Sequence, residues 1–125
     1  MRLLLDSQVV LWSMHSPERL PAEAVAAIID PVNSVDVSVA SLWELAIKQS
    51  IGKLTVDADL REHLALQSFT ELPVLGEHTL VVRDLPMHHR DPFDRLLIAQ
   101  AMCEGLTIVT ADRAFAAYDV PIMPA

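Results

Sequence analysis

The chain has 125 residues, 52% of them hydrophobic and 21% charged, which suits one compact domain with a sizeable core and excludes a disordered or linker-like chain. A single cysteine, Cys103, excludes an intramolecular disulfide framework, and no run approaches the roughly 20 apolar residues of a membrane span. The balance of Lys+Arg 9 against Asp+Glu 17 gives net charge −8, which lacks the basic footprint usual in nucleic-acid binders but leaves room for acids gathered around a cation.

In chain order, Leu3-Leu4-Leu5 predicts a buried strand ended by Asp6-Ser7. The Asp6 interruption also comes too early for a secretory signal, so a cytoplasmic protein without membrane attachment is expected. Helices are predicted over 8–15 and 22–29, with Pro17 and Pro21 between them, and a strand over 35–39. A helix over 41–51 ends at Gly52, another spans 57–67, and 69–74 is extended. A helix over 77–83 leads into the turn-rich stretch 86–92, and an apolar helix over 93–104 is stopped by Gly105. Residues 107–109 read as a strand, 113–118 as a short helix and 120–123 as a final edge strand. Apolar strands alternating with helices predict an α/β domain over 1–125, with a central parallel sheet of four or five strands between helical layers.

Acidic residues fall where such a sheet binds ligands, beyond the carboxyl ends of its strands. Asp6 follows the first strand and Asp112 follows the strand at 107–109, although each also fits as a cap of the next helix. Glu44 lies on the shoulder of an apolar helical face that includes Val39, Trp43, Ala46 and Ile47, all expected to be buried; a surface Glu44–Lys48 pair is the alternative. Asp94 continues the buried stripe of Leu97, Ile98 and Ala101, while Asp91 before Pro92 reads as a turn or cap. Four converging carboxylates repel one another by about 1 kcal/mol per pair at 4 Å even in water. A divalent cation relieves this, and all-oxygen ligation favours Mg²⁺ or Mn²⁺, which points to metal-assisted phosphodiester hydrolysis by activated water.

The stretches LLLDSQVVLW, VSVASLWELAIKQSIGKL and HHRDPFDRLLIAQA, followed by TIVTADRAFAAYDVPI, resemble the PIN-domain ribonucleases, and among them the VapC-type toxins of bacterial toxin–antitoxin pairs. The similarity runs nearly end to end. It implies an α/β/α sandwich with an acidic Mg²⁺ or Mn²⁺ pocket in which Asp6, Glu44, Asp94 and Asp112 match the family's four acids. It further implies an RNA substrate, a homodimer and silencing by a VapB-like antitoxin. Thr110 is then expected to orient the last acid, and Ser7 keeps the hydroxyl that follows the first. Gln8 departs from the histidine common at that position.

Lys48, Arg90, Arg95 and Arg113 stand near the proposed ligands and are candidate RNA-phosphate contacts, with ordinary surface ion pairing as the alternative. His88 and His89 read as surface or turn residues with at most a minor part in substrate contact. Cys103 reads as an inert core thiol, and Trp12 and Trp43 as core or interface anchors. Two other functions stay open: a Mg²⁺-dependent phosphoryl-accepting or phosphatase-like domain, and a non-catalytic binding module on the same fold. The terminal VPIMPA lacks the lysine expected of the first, and DSQVV lacks the DxDxT phosphatase pattern. The presence of all four acids weighs against the second.

Overall fold

Successive apolar residues in the strands require cover on both faces of a sheet. The computed structural model describes residues 1–55 and 59–125, and it contains that arrangement. Strands β1 (Arg2–Leu5), β2 (Ser34–Ser38), β3 (Thr70–Leu72), β4 (Thr107–Thr110) and β5 (Ile122–Pro124) form one parallel sheet in the order β3-β2-β1-β4-β5. Helices α1 (Ser7–His15), α2 (Ala22–Ile29), α3 (Val39–Ser50), α4 (Leu60–Leu66), α5 (Gly76–Asp84) and α6 (Pro92–Glu104) flank it. Short 3-10 turns occupy Pro17–Arg19 and Arg113–Ala117.

The pleat divides the apolar residues between two cores. Leu3, Leu5, Val35, Val37 and Val109 pack with Val9, Val10, Ala24, Leu45 and Leu64 on one face. Leu4 and Ile108 turn the other way, onto Leu97, Ile98, Ala101 and Phe115. Each large side chain fully removed from water contributes about 1.5–3 kcal/mol, so the three-layer packing fixes β1 and β4 side by side. Among the described residues, no helix is long and apolar enough to cross a membrane.

Several sequence expectations shift, each for a local reason. Ser38 Oγ accepts the Ala40 N–H at 3.0 Å, so α3 begins at Val39 and not at residue 41. Its core contacts then come from Ala40, Ser41 and Leu45, while Val39, Trp43, Ala46 and Ile47 face outward. Trp43 is 62% exposed and meets the Phe93 ring edge-on, so the stripe expected to be buried is a bare apolar face. Trp12, by contrast, packs against the core. Asp59 caps α4 through the Arg61 N–H, and the expected helix start at Asp57 lies outside the described residues. The extended stretch stops at Leu72, because Pro73 brings no N–H to a ladder. The short helix expected over 113–118 is a 3-10 turn, and the edge strand lies at Ile122–Pro124. Cys103 is exposed on α6, not in the core, and its thiol is held above the ordinary range by partial burial and by the charges of Glu77 and Glu104.

Gly105 closes α6 in the left-handed region at φ +70, with its N–H on the Ala101 carbonyl at 2.9 Å. A methyl group there meets nothing within 4 Å, so only the backbone conformation resists one. Gly105→Ala is expected to cost about 1 kcal/mol, read as a lowered urea midpoint with an unchanged m value.

Candidate active site

The strand order reverses direction between β1 and β4, since the chain builds outward from β1 to β3 before crossing to β4 and β5. The carboxyl ends of these two strands therefore border the crevice where open α/β sheets bind ligands. Asp6 leaves β1 there. One of its oxygens, Oδ1, caps α1 by accepting the Val9 N–H at 2.8 Å, and Oδ2 accepts the Thr110 hydroxyl. Thr110, the buried last residue of β4, also accepts the Asp112 N–H on the same Oγ1 at 3.0 Å. Asp112 in turn caps the 3-10 turn through Oδ1 and Ala114 N, 2.9 Å apart.

Two helices bring the remaining acids. Asp91 Oδ1 accepts the Asp94 N–H at 3.0 Å, which sets Asp94 in the first turn of α6. The cap reading of Asp91 therefore holds. Glu44, in the middle of α3, has a side chain only 14% exposed, and its Oε2 lies 3.9 Å from Lys48 Nζ. Between Asp94 and Asp112 stands His89, whose Nε2 is 3.0 Å from Oδ2 of each. These three side chains offer ligand atoms within 4.8 Å of one another.

The electrostatics record the crowding. Burial raises the Asp6 carboxyl above its ordinary value, the hydrogen bonds from Thr110 and Val9 oppose the rise, and the charges of Asp112 and Glu44 add to it. Burial also pushes Asp94 up, to about 7; Asp91, Glu44 and Asp6 contribute to the rise and His89 opposes it. Each of the four acids thus enters the field of at least one other. Carboxylates crowded in this way, with Asp6 and Asp94 both raised and lone pairs left over after capping, form a donor set that fits a hard divalent cation. An exposed cluster of the same charge would simply be solvated.

The cations separate into two groups. Arg90 and Arg113 are exposed and Lys48 sits beside Glu44. Arg95 is placed differently from the sequence expectation of a phosphate contact. It is 8% exposed, with Nη1 donating to the carbonyls of Pro86 (2.9 Å) and His89 (3.2 Å) and to the Tyr118 hydroxyl (3.3 Å). Its Nη2 donates to the carbonyls of Val82 (3.1 Å) and Leu85 (3.2 Å). Its role is to hold the 82–89 segment onto α6. Ser7 opens α1 half-buried, and Gln8 beside it is exposed.

His89 is the residue that sequence reasoning passes over. Its signal was its place five positions before Asp94 with Pro92 between, a spacing that lets the turn fold back on the helix start. His78 is a separate case. It is fully buried, accepts the Leu75 N–H on Nδ1 at 2.9 Å and sets Nε2 3.0 Å from Glu104 Oε1, which satisfies both ring nitrogens.

Comparison with known proteins bears on the whole chain. A model described as the PIN domain matches residues 3–121. Ribonuclease VapC22 of Mycobacterium tuberculosis is 32% identical over 118 residues, covering 89% of this chain and 87% of that protein. Among solved structures, VapBC2 from Rickettsia felis bound to a DNA fragment from its promoter aligns at TM-score 0.75 and 14% identity, covering 100% of this chain and 99% of that one. FitAcB from Neisseria gonorrhoeae aligns at TM-score 0.66 and 24% identity, covering 97% and 96%. At these identities the structural matches speak for the fold.

Two outcomes are expected. A carboxyl raised in the folded state stabilises the fold at low pH, and that contribution is lost as pH rises from the unfolded value near 3.8 through about 7 for Asp94. Metal-free protein in chelator should therefore gain less stability, or lose more, than Asp94→Asn between about pH 5 and pH 8; parallel urea-midpoint profiles for the two proteins would contradict this. Arg95→Ala removes a buried cation from five acceptors and should lower stability by about 3 kcal/mol or more, seen in thermal melting.

Proposed function

The chain belongs to the PIN domain family, and from that membership we propose that it is a VapC-type ribonuclease, the toxin of a toxin–antitoxin pair, with a four-carboxylate site for Mg²⁺ or Mn²⁺. The observation that carries this reading is the meeting of Asp6, Asp94 and Asp112 with Glu44 at the switch point of the sheet, where burial and mutual repulsion raise the carboxyls of Asp6 and Asp94. The four acids would hold the ion. When bound, it supplies a Lewis acid that offsets phosphodiester charge and makes water a better nucleophile at neutral pH.

The chain's own residues do the rest. Thr110 holds one oxygen of Asp6 and the backbone of Asp112, which fixes the Asp6 carboxylate and the point from which the Asp112 side chain projects. Asp94, raised to about 7, would have to lose its proton to hold the ion, so binding would weaken as pH falls below neutrality. Lys48, Arg90 and Arg113 flank the acids and would receive RNA phosphates, a local attraction that operates despite net charge −8. The bare face of Val39, Trp43 and Ile47 on α3 supports a protein partner, and a VapB-like antitoxin is the one proposed. A homodimer acting in the cytoplasm completes the reading.

Cleavage of RNA by purified protein should stop in chelator and return with Mg²⁺ or Mn²⁺. Asp6→Asn, Asp94→Asn and Asp112→Asn should each lower the rate at least about a hundredfold while the fold persists, since each tenfold step corresponds to about 1.4 kcal/mol of transition-state stabilisation. Expression without a partner should arrest growth, and co-expression of a cognate VapB-like antitoxin should relieve the arrest. Equal toxicity of Asp112→Asn would overturn the site assignment, and undiminished cleavage in chelator would overturn the metal.

A further inference from the structure

His89 stands where proximity alone would make it a metal ligand, with Nε2 3.0 Å from both Asp94 Oδ2 and Asp112 Oδ2. Its other ring nitrogen argues against that role. Nδ1 lies 3.2 Å from the Asp91 backbone nitrogen and accepts its N–H. A nitrogen that accepts a hydrogen bond carries no proton, so the proton of the ring sits on Nε2 and leaves that atom no lone pair for a cation. Nε2–H is a donor aimed at two carboxylates.

The surroundings keep the ring in that pose. It meets Phe115 edge-on, with centroids 5.7 Å apart and planes at 85°. The His89 backbone N–H donates to the Tyr118 hydroxyl at 2.9 Å, and its carbonyl accepts from Arg95 at 3.2 Å. The Tyr118 hydroxyl itself donates to the Pro86 carbonyl at 2.7 Å. Asp112 is the acid that most needs a tether: its side chain is 45% exposed, against 19% for Asp94, and it sits in a 3-10 turn instead of a full helix.

We propose that His89 is a positioning residue whose Nε2–H bridges Asp94 and Asp112, holding the two carboxylates side by side and leaving Asp94 Oδ1 and the unshared lone pairs of Asp112 for a divalent cation. The proposal rests on the metal-site reading above and adds the group that presets it. Outer partners of this kind typically alter metal affinity by about 10–100-fold when removed.

The test uses Mn²⁺ binding to the full chain, without RNA, in the wild type, His89→Ala and His89→Gln. Circular dichroism and melting first establish that each variant is folded. His89→Ala should bind Mn²⁺ at least about tenfold more weakly. His89→Gln, whose side-chain amide still donates an N–H from a similar reach, should recover most of that loss. Two-bond ¹H–¹⁵N spectra of the imidazole should show the proton on Nε2 both without metal and with Mg²⁺. Wild-type affinity in folded His89→Ala would overturn the positioning role alone, as would equal weakening in both variants. Loss of the Nε2–H signature on adding Mg²⁺ would make the ring a ligand and overturn it too. Failure of the wild type to bind any divalent ion would instead sink the active-site reading, and this proposal with it.

Discussion

One hydroxyl group joins the two halves of this site. Asp6 and Asp112 leave neighbouring parallel strands, and Thr110 Oγ1 donates to the first while accepting the backbone N–H of the second. Parallel strands need crossovers, so the acids at their ends are distant in sequence, 104 residues separating Asp6 from Thr110. Only the pairing of β1 with β4 brings them together, and that pairing depends on apolar layers on both sheet faces. Loss of the threonine hydroxyl would leave a buried carboxylate oxygen without its donor, at the point where the fold and its chemistry meet.

The same local device recurs at each strand or turn that delivers an acid. Asp6, Asp91 and Asp112 each use one carboxylate oxygen to cap a following helix or turn. A cap does not consume a carboxylate, because each oxygen keeps a further lone pair even where, as in Asp6 and Asp112, the second oxygen meets Thr110 or His89. Capping therefore fixes the side chain's orientation and places it against the positive end of the helix, which favours the charged form. The structural and chemical readings of these residues are thus complementary. Burial works in the opposite sense on Asp6 and Asp94, raising both.

Much of this was legible in the residue pattern. The parallel α/β architecture followed from apolar strands alternating with helices, and the acids were found by their position after strands or along helix stripes. What the pattern missed depends on tertiary contacts. The face of α3 was assigned from hydrophobic periodicity, but Ser38 starts the helix two residues early and the sheet takes Leu45 and Ser41, leaving Trp43 outside. Arg95 looked like a surface cation because nothing in its neighbours announces five acceptors drawn from the last turn of α5, the loop after it and Tyr118. His89 was read as a surface or turn residue, and only the folding of that turn onto the start of α6 brings its ring between Asp94 and Asp112.

The acceptors around Arg95 include four backbone carbonyls, those of Val82, Leu85, Pro86 and His89. A carbonyl is the same group whatever side chain its residue bears, so the guanidinium grips the path of the chain and is largely indifferent to its composition. Met87, 68% exposed between two gripped positions, is consequently free to vary without loosening the scaffold. A change there would alter the exposed surface of the segment while the grip on its backbone stayed the same.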